Sequence, residues 1–316
     1  MNDELMRRQF ESLRNALRSI LPFLDDSAVV EIMLNADGRI WVEKAGAGMF
    51  DTGQTMASDS SERIIRLLAS NDNVEVNEKN PRLATKLPIW GARVQASIPP
   101  IVDAPVFAFR KPYPLVFPIS DYVEKDMLAA SQADFLTASI KAKKNILIGG
   151  GTGSGKTSFI NSLLKIVSET NDRLYIVEDT PELRCEASNK VQVRTNPYYS
   201  CHDAVMDALR YRPDRIIVGE IRDGTALDLL KSWNTGHGGG LASVHANDCR
   251  SMLDRMCQLI EEVVPKAPRY LVAEAVNICV YITRDSNHAH GRRVSEIACI
   301  SGFNAVSGDW QMEYIE

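Results

Sequence analysis

The sequence predicts a two-part α/β chain: a larger domain built on a parallel sheet, preceded by a smaller α+β domain. Three observations predict it. From Asn145 onward, strand-like apolar runs alternate with helical patterns, the order produced when helical crossovers join parallel strands. Runs such as Ile146-Leu147-Ile148 and Ile216-Ile217-Val218 are continuously apolar, as strands covered on both faces are. Upstream, Pro112, Pro114 and Pro118 crowd into one short segment. Proline fixes φ and pushes its predecessor toward extended backbone, so this segment reads as a semi-rigid linker. The expected boundaries are residues 1–111, a linker over 112–120, and residues 121–316.

In the first part, Leu5, Phe10, Leu13 and Leu17 form a helical stripe that should stop near Pro22. Val29–Leu34 and Arg39–Glu43 flank the turn Asn35-Ala36-Asp37-Gly38 and read as a hairpin. Ser58–Ser70 is an amphipathic helix with Ile64, Ile65, Leu67 and Leu68 on its buried face. Short strands are expected at Arg93–Ile98 and Val106–Arg110. After the linker, Ser120 or Asp121 can cap the next helix. The second part should place strands at Asn145–Gly149, Leu174–Glu178, Lys190–Arg194, Arg215–Gly219 and Leu241–His245, and close with an antiparallel edge from Arg293–Ile300 and Trp310–Ile315.

Bulk composition narrows the function. The 316 residues are 45% hydrophobic and 24% charged, with a net charge of −5. That is an ordinary globular balance, and its acidic sign argues against a protein that coats nucleic acid by neutralising phosphates. Six cysteines lie in the second half without a C-x-x-C pair and read as reduced thiols. His245 and Cys249 are four apart, but no further ligands cluster beside them, so a zinc site is rejected. Met1–Ser19 mixes charges with apolar residues and is no signal peptide. Leu271–Ile282 carries Glu274 and is too short to span a bilayer. Any work at a membrane would be done from its surface.

The chemistry concentrates in one ordered set of motifs. Gly150-Gly151-Thr152-Gly153-Ser154-Gly155-Lys156-Thr157 matches G-x-x-x-x-G-K-[ST] between a strand and the helical pattern that opens at Ser158. Its glycines let backbone N–H groups turn inward around phosphate oxygens. The helix N-terminus favours the same anion, Lys156 meets the β- and γ-phosphates, and the Thr157 hydroxyl can ligate Mg²⁺. The expected ligands are therefore ATP and Mg²⁺. Leu174–Glu178 ends in Glu178 and Asp179, and strand ends of an open α/β sheet face the ligand crevice. A carboxylate there can orient and deprotonate the attacking water. Arg215–Glu220 is a second apolar strand ending in an acid, with Glu220 placed to serve the metal directly or through water. Gly236–Asn247 sets His245 at a third strand end, where it can sense the γ-phosphate. A guanidinium can stabilise charge developing in phosphoryl transfer. Arg110 leads the candidates, with Arg93, Arg194, Arg210, Arg212 and Arg222 behind it.

With these pieces in order, the chain resembles the secretion or traffic ATPases of the VirB/pilus-motor superfamily, in its conjugative-transfer branch. The resemblance rests on GGTGSGKT, IVEDTPEL, RPDRIIVGEIR and TGHGGGLASVHAND, and in the first part on VVEIMLNADGRIWVE, GARVQASIPP and VFAFRKP. It implies a RecA-like P-loop NTPase domain with a PAS-like N-terminal domain, and a homohexamer bound peripherally at the cytoplasmic face of the inner membrane beside secretion or mating-pore components. It also implies that Lys156 and Thr157 bind phosphate and Mg²⁺, Glu178 polarises water, Glu220 serves the metal, His245 couples nucleotide state to motion and Arg110 contacts nucleotide. Both Glu178 and Glu220 stay open as the general base. The loop Tyr198–His202 matches no pattern of the family. The alternatives are a pilus-retraction-type motor, a DNA-translocating motor and an ATP-binding assembly scaffold.

Overall fold

The structure, a computed structural model, describes residues 11–44, 47–72, 74–87, 90–111, 116–196 and 198–316. The chain divides into two compact units, Met1–Pro114 and Leu115–Glu316. Residues 112–115 of the proline-rich segment lie outside the described residues, as do Leu5 and Phe10 of the first helical stripe.

The first unit holds a six-stranded sheet: β1 (Val29–Leu34), β2 (Arg39–Lys44), β3 (Gly48–Thr55), β4 (Arg82–Lys86), β5 (Arg93–Ser97) and β6 (Val106–Arg110), in the order β3-β2-β1-β6-β5-β4. Every pairing is antiparallel. The expected hairpin is β1–β2, with Leu34 opposite Ile40. The helix Ser58–Asn71 buries Ile64, Ile65 and Leu68, whereas Leu67 is only half-buried. The helix of the first stripe ends at Ala16, ahead of Pro22 as expected, and Pro22 belongs to the next one. It lies in the first turn of the helix Leu21–Asp25, where its missing N–H has no intrahelical partner to lose. These elements close on one core that includes Leu13, Leu17, Ile32, Val42, Leu68, Val94 and Phe109.

In the second unit an eight-stranded sheet runs β14-β13-β12-β7-β11-β10-β8-β9. Its strands are β7 (Ile146–Gly150), β8 (Leu174–Glu178), β9 (Lys190–Arg194), β10 (Arg215–Val218), β11 (Leu241–Val244), β12 (Ile278–Arg284), β13 (Arg292–Asn304) and β14 (Asp309–Tyr314). The six strands from β12 to β9 pair in parallel, and β13 and β14 add the expected antiparallel edge. Alternate residues of the central strands point to opposite faces. Leu147, Val177, Ile216 and Val244 enter one core, and Ile148, Ile176, Ile217 and Leu241 enter another. Helices on both faces thus explain the absence of polar alternation. One expectation fails at the entry to this unit. The helix Ile119–Glu124 is preceded by Pro118, and neither Ser120 nor Asp121 caps it, because both already lie inside its first turn.

Candidate functional site

The parallel strands all deliver their C-terminal ends to one edge, the position at which open α/β sheets bind ligands. β7 runs into the phosphate loop and then the helix Lys156–Ser168. Gly153 (φ +68°) and Gly155 (φ +106°) adopt left-handed backbone that side chains disfavour, so these two glycines of the motif are conformational requirements. The loop comprises Gly150, Gly151, Thr152, Gly153, Ser154 and Gly155, with Lys156, Thr157 and Ser158 opening the helix.

Lys156 is 8% exposed and donates to the carbonyls of Gly150 (2.8 Å) and Gly151 (3.0 Å). Its Nζ also stands 3.4 Å from His245 Nδ1. His245 follows β11 and is fixed by a short connection to the helix Cys249–Ile260, whose N-cap Asp248 accepts from Ser251 N at 2.6 Å. On its other side His245 Nε2 lies 2.8 Å from Glu220 Oε1. Burial, aided by the Lys156 ammonium, holds the imidazole below the ordinary histidine range. The neutral ring then donates from Nε2 to Glu220 and accepts at Nδ1 from Lys156, the tautomer these two neighbours select.

Glu220 is tied further to Arg222, whose Nε donates at 2.6 Å, and Arg222 Nη1 reaches Asp179 Oδ2 at 2.6 Å. One chain of polar contacts therefore joins the lysine of the phosphate loop, His245, Glu220, Arg222 and Asp179. The ends of β8, β10 and β11 are joined to β7 across the sheet, which is why residues 25, 43 and 89 positions apart meet here.

Glu178 is brought to the same edge but in another role. It is 5% exposed. Its Oε1 accepts from the backbone N–H of Glu182 (2.8 Å) and Leu183 (2.7 Å), and its Oε2 accepts from Gln192 Nε2 (2.8 Å). Burial still pushes its carboxyl above the ordinary range despite these donors. The carboxylate thereby shapes the loop after β8. That loop presents Glu182, whose Oε2 accepts from Thr157 Oγ1 at 3.3 Å. Asn161 clips the same loop to the phosphate-loop helix, donating to Glu182 O (3.0 Å) and accepting from Arg184 N (2.8 Å). Sequence reasoning named neither Glu182 nor Asn161. Glu182 follows Glu178 by four residues, and that acid beside Pro181 was the available signal.

The remaining candidates are dispersed. Arg110 closes β6 in the first unit, directly opposite Arg93 on β5 and Glu31 on β1. Arg210 is exposed and pairs with Asp207. Arg212 holds a left-handed turn (φ +52°), and Arg194 lies on the edge strand β9. The segment Tyr198–His202 is a capped helix start: Ser200 accepts from Asp203 N, and Tyr199 donates its hydroxyl to Asp207 at 2.9 Å. Among the described residues no group of three or more His, Cys, Asp or Glu forms a metal cluster, and the six cysteines are free thiols.

Known proteins are similar to this chain in sequence and in fold. Residues 14–295 match the family described as Type II/IV secretion system protein. The conjugal transfer protein TrbB of Rhizobium radiobacter is 40% identical over 89% of this chain and 86% of its own length. The type IV secretion system protein VirB11 of Bartonella quintana is 29% identical over 83% of this chain and 85% of its own. Among solved structures, the ATPase DotB of Yersinia pseudotuberculosis superposes with a TM-score of 0.64 at 19% identity, covering 92% of this chain and 79% of DotB. The pilus retraction motor PilT with bound ADP gives 0.59 at 17% identity, covering 93% and 80%. These two likenesses establish the fold alone: an N-terminal domain followed by a RecA-like α/β domain. The family match and the TrbB similarity, on a chain whose four motifs meet at one sheet edge, place this protein in the Type II/IV secretion system protein family.

Proposed function

We propose that this protein is an ATP-hydrolysing traffic ATPase that powers type IV secretion of the conjugative-transfer kind. On this reading it works as a homohexamer held at the cytoplasmic face of the inner membrane by secretion or mating-pore components. The observation that carries it is the contact chain Lys156–His245–Glu220, in which three separate motifs meet within 3.4 Å steps. The similarity to a conjugal transfer protein and to a type IV secretion system protein supports the secretion setting. Among the described residues no helix is long and apolar enough to cross a membrane, consistent with attachment through partners.

The residues fit a nucleoside triphosphate and its metal. The loop glycines leave room for phosphate oxygens, Lys156 supplies a buried cation, and the helix N-terminus favours an anion. Thr157 Oγ1, the Glu182 carboxylate beside it and Glu220 form the hard oxygen set that magnesium prefers. Bound there, Mg²⁺ would neutralise charge on the phosphate oxygens during transfer. On nucleotide binding, Lys156 exchanges its two carbonyl partners for phosphate oxygens, which also frees the His245 Nδ1 side. His245 then reports occupancy to Glu220 through its opposite nitrogen.

For activation of the attacking water the geometry favours Glu220 over Glu178. Three donors already occupy the Glu178 carboxylate, whereas Glu220 is held by side chains that can rearrange with the nucleotide. Glu178 we assign to positioning Asp179 and Glu182. Arg110 we propose as a phosphate-binding arginine, the role that the family resemblance implies for it. The test is Mg²⁺-dependent ATP hydrolysis by purified protein, with light scattering for ring assembly. Activity lost in Lys156→Ala and a six-subunit mass support the reading. Hydrolysis that survives Lys156→Ala, or no hydrolysis by the wild type, sinks it.

A further inference from the structure

A second cationic element borders the phosphate loop. Arg284 ends β12 and Arg292 begins β13, and the two are direct cross-strand partners. Such partners project to the same face with Cβ atoms about 5 Å apart, so two like charges there repel. No carboxylate among the described residues lies within ion-pair distance of either one, while neighbouring Arg293 is paired with Asp285 at 3.0 Å. Both reach the phosphate loop. Arg284 Nε donates to Gly153 O at 3.3 Å, and a Cβ at Gly153 would collide with its guanidinium. A Cβ at Gly155 would come within 3.1 Å of Arg292 Nη1. The glycines therefore leave space for these arginines as well as for the bend of the loop.

Sheet order fixes which part of a nucleotide the pair would meet. β7 lies between β11 and β12. On one side Val244 is level with Gly149, bringing His245 and, from β10, Glu220 to the loop. On the other, Ile282 is level with Gly150, so Arg284 extends past the strand end where the loop begins. A triphosphate lying along the loop with its terminal phosphoryl at Glu220 and His245 directs its nucleoside end toward β12.

Resting on the nucleotide-site reading above, we propose that Arg284 and Arg292 form a two-arginine clamp for the α-phosphate of the bound nucleotide. Guanidinium groups suit phosphate oxygens because their fixed N–H fork donates in pairs. The anion relieves the repulsion between the two cations, so binding and the local electrostatics of the hairpin are coupled.

The experiment measures Kd for ATP and for ADP, and the melting temperature without nucleotide, in full-length wild type, Arg284→Gln, Arg292→Gln and the corresponding Lys variants. Loss of one charge-assisted contact should raise Kd about 10-fold, by the same factor for ATP and ADP because both carry the α-phosphate. The Gln variants should melt no lower than the wild type without nucleotide, since one of two repelling charges is gone, and the Lys variants, which keep the charge but not the paired donors, should recover only part of the affinity. Unchanged Kd values, a loss confined to ATP, or a lowered melting temperature that Lys does not restore would each overturn the clamp, the last by showing that the pair only shapes the loop. A wild type that binds neither nucleotide overturns the site reading itself, and the clamp with it.

Discussion

Arg215 opens the β10 strand that carries Glu220, and it is 1% exposed. Its Nε pairs with Asp172 Oδ2 at 2.7 Å, Nη1 donates to Gly239 O at 3.1 Å, and Nη2 donates to Ile140 O at 3.0 Å. Substituting Arg215→Leu keeps an apolar stem in the core but removes all three donors. Asp172 keeps Lys143 at 2.8 Å, so its charge is not abandoned. The carbonyls of Gly239 and Ile140 lose a buried partner, at about 1–3 kcal/mol each. The penalty of about 3–5 kcal/mol for an uncompensated buried charge does not arise while Lys143 stays on Asp172. The expected loss is therefore about 4 kcal/mol, which for a domain of this size lowers Tm by roughly 8–16 °C. Urea unfolding followed by tryptophan fluorescence measures it, with Arg215→Lys as the intermediate case because one ammonium cannot span three acceptors. A loss below about 1 kcal/mol would refute the reasoning and show that water or neighbours replace the arginine. The same residue explains a sequence feature: a Cβ at Gly239 (φ +83°) would lie 2.5 Å from Arg215 Nη1, so a glycine before β11 makes room for the guanidinium.

Three more outcomes follow from the geometry. Gly240→Ala should destabilise by roughly 2 kcal/mol, because a Cβ there collides with the Trp233 indole and breaks its 3.0 Å bond to Ile216 O; calorimetry checks it, and an unshifted Tm contradicts it. Folded His245 holds a proton less readily than the unfolded chain does, burial being the larger cause. Stability is therefore whole above the ordinary histidine value of 6.5 and falls as pH drops through it toward the lower folded value. Urea midpoints between pH 7.5 and 5.5 should show an acid loss in wild type that His245→Gln reduces, and parallel curves would contradict the assignment. Glu178→Gln places an amide N–H against either the donors from the loop or Gln192, so it should cut hydrolysis about 10-fold by loosening the loop that carries Glu182. Turnover equal to wild type would mean the loop needs no such anchor.

Much of the site was legible because its determinants are local. The phosphate loop, Glu178, Glu220 and His245 each terminate an apolar strand, and parallel strands must deliver those ends to one edge. What each carboxylate does there was not legible, because it depends on partners from other strands. Glu178 is defined by Gln192 on β9 and by amides four and five residues on. Arg284 and Arg292 became relevant only through the β12–β13 register. The fold shows the same division. The hairpin β1–β2 and the helix Ser58–Asn71 carry clear periodicities. Exposed β3 has no apolar alternation to reveal it. β12 follows the helix Arg269–Ala275 without a glycine or proline between them, so one apolar stretch concealed two elements.

In the proposed mechanism Lys156 holds the triphosphate while Glu220, reached through His245, activates water against it. Single-turnover hydrolysis of radiolabelled ATP, measured beside ATP affinity, separates these two roles. Glu220→Gln should bind ATP with affinity within a few-fold of wild type yet hydrolyse it at least about 100-fold more slowly, whereas Lys156→Ala should lose the binding itself. A Glu220→Gln protein that turns over ATP at the wild-type rate would contradict it.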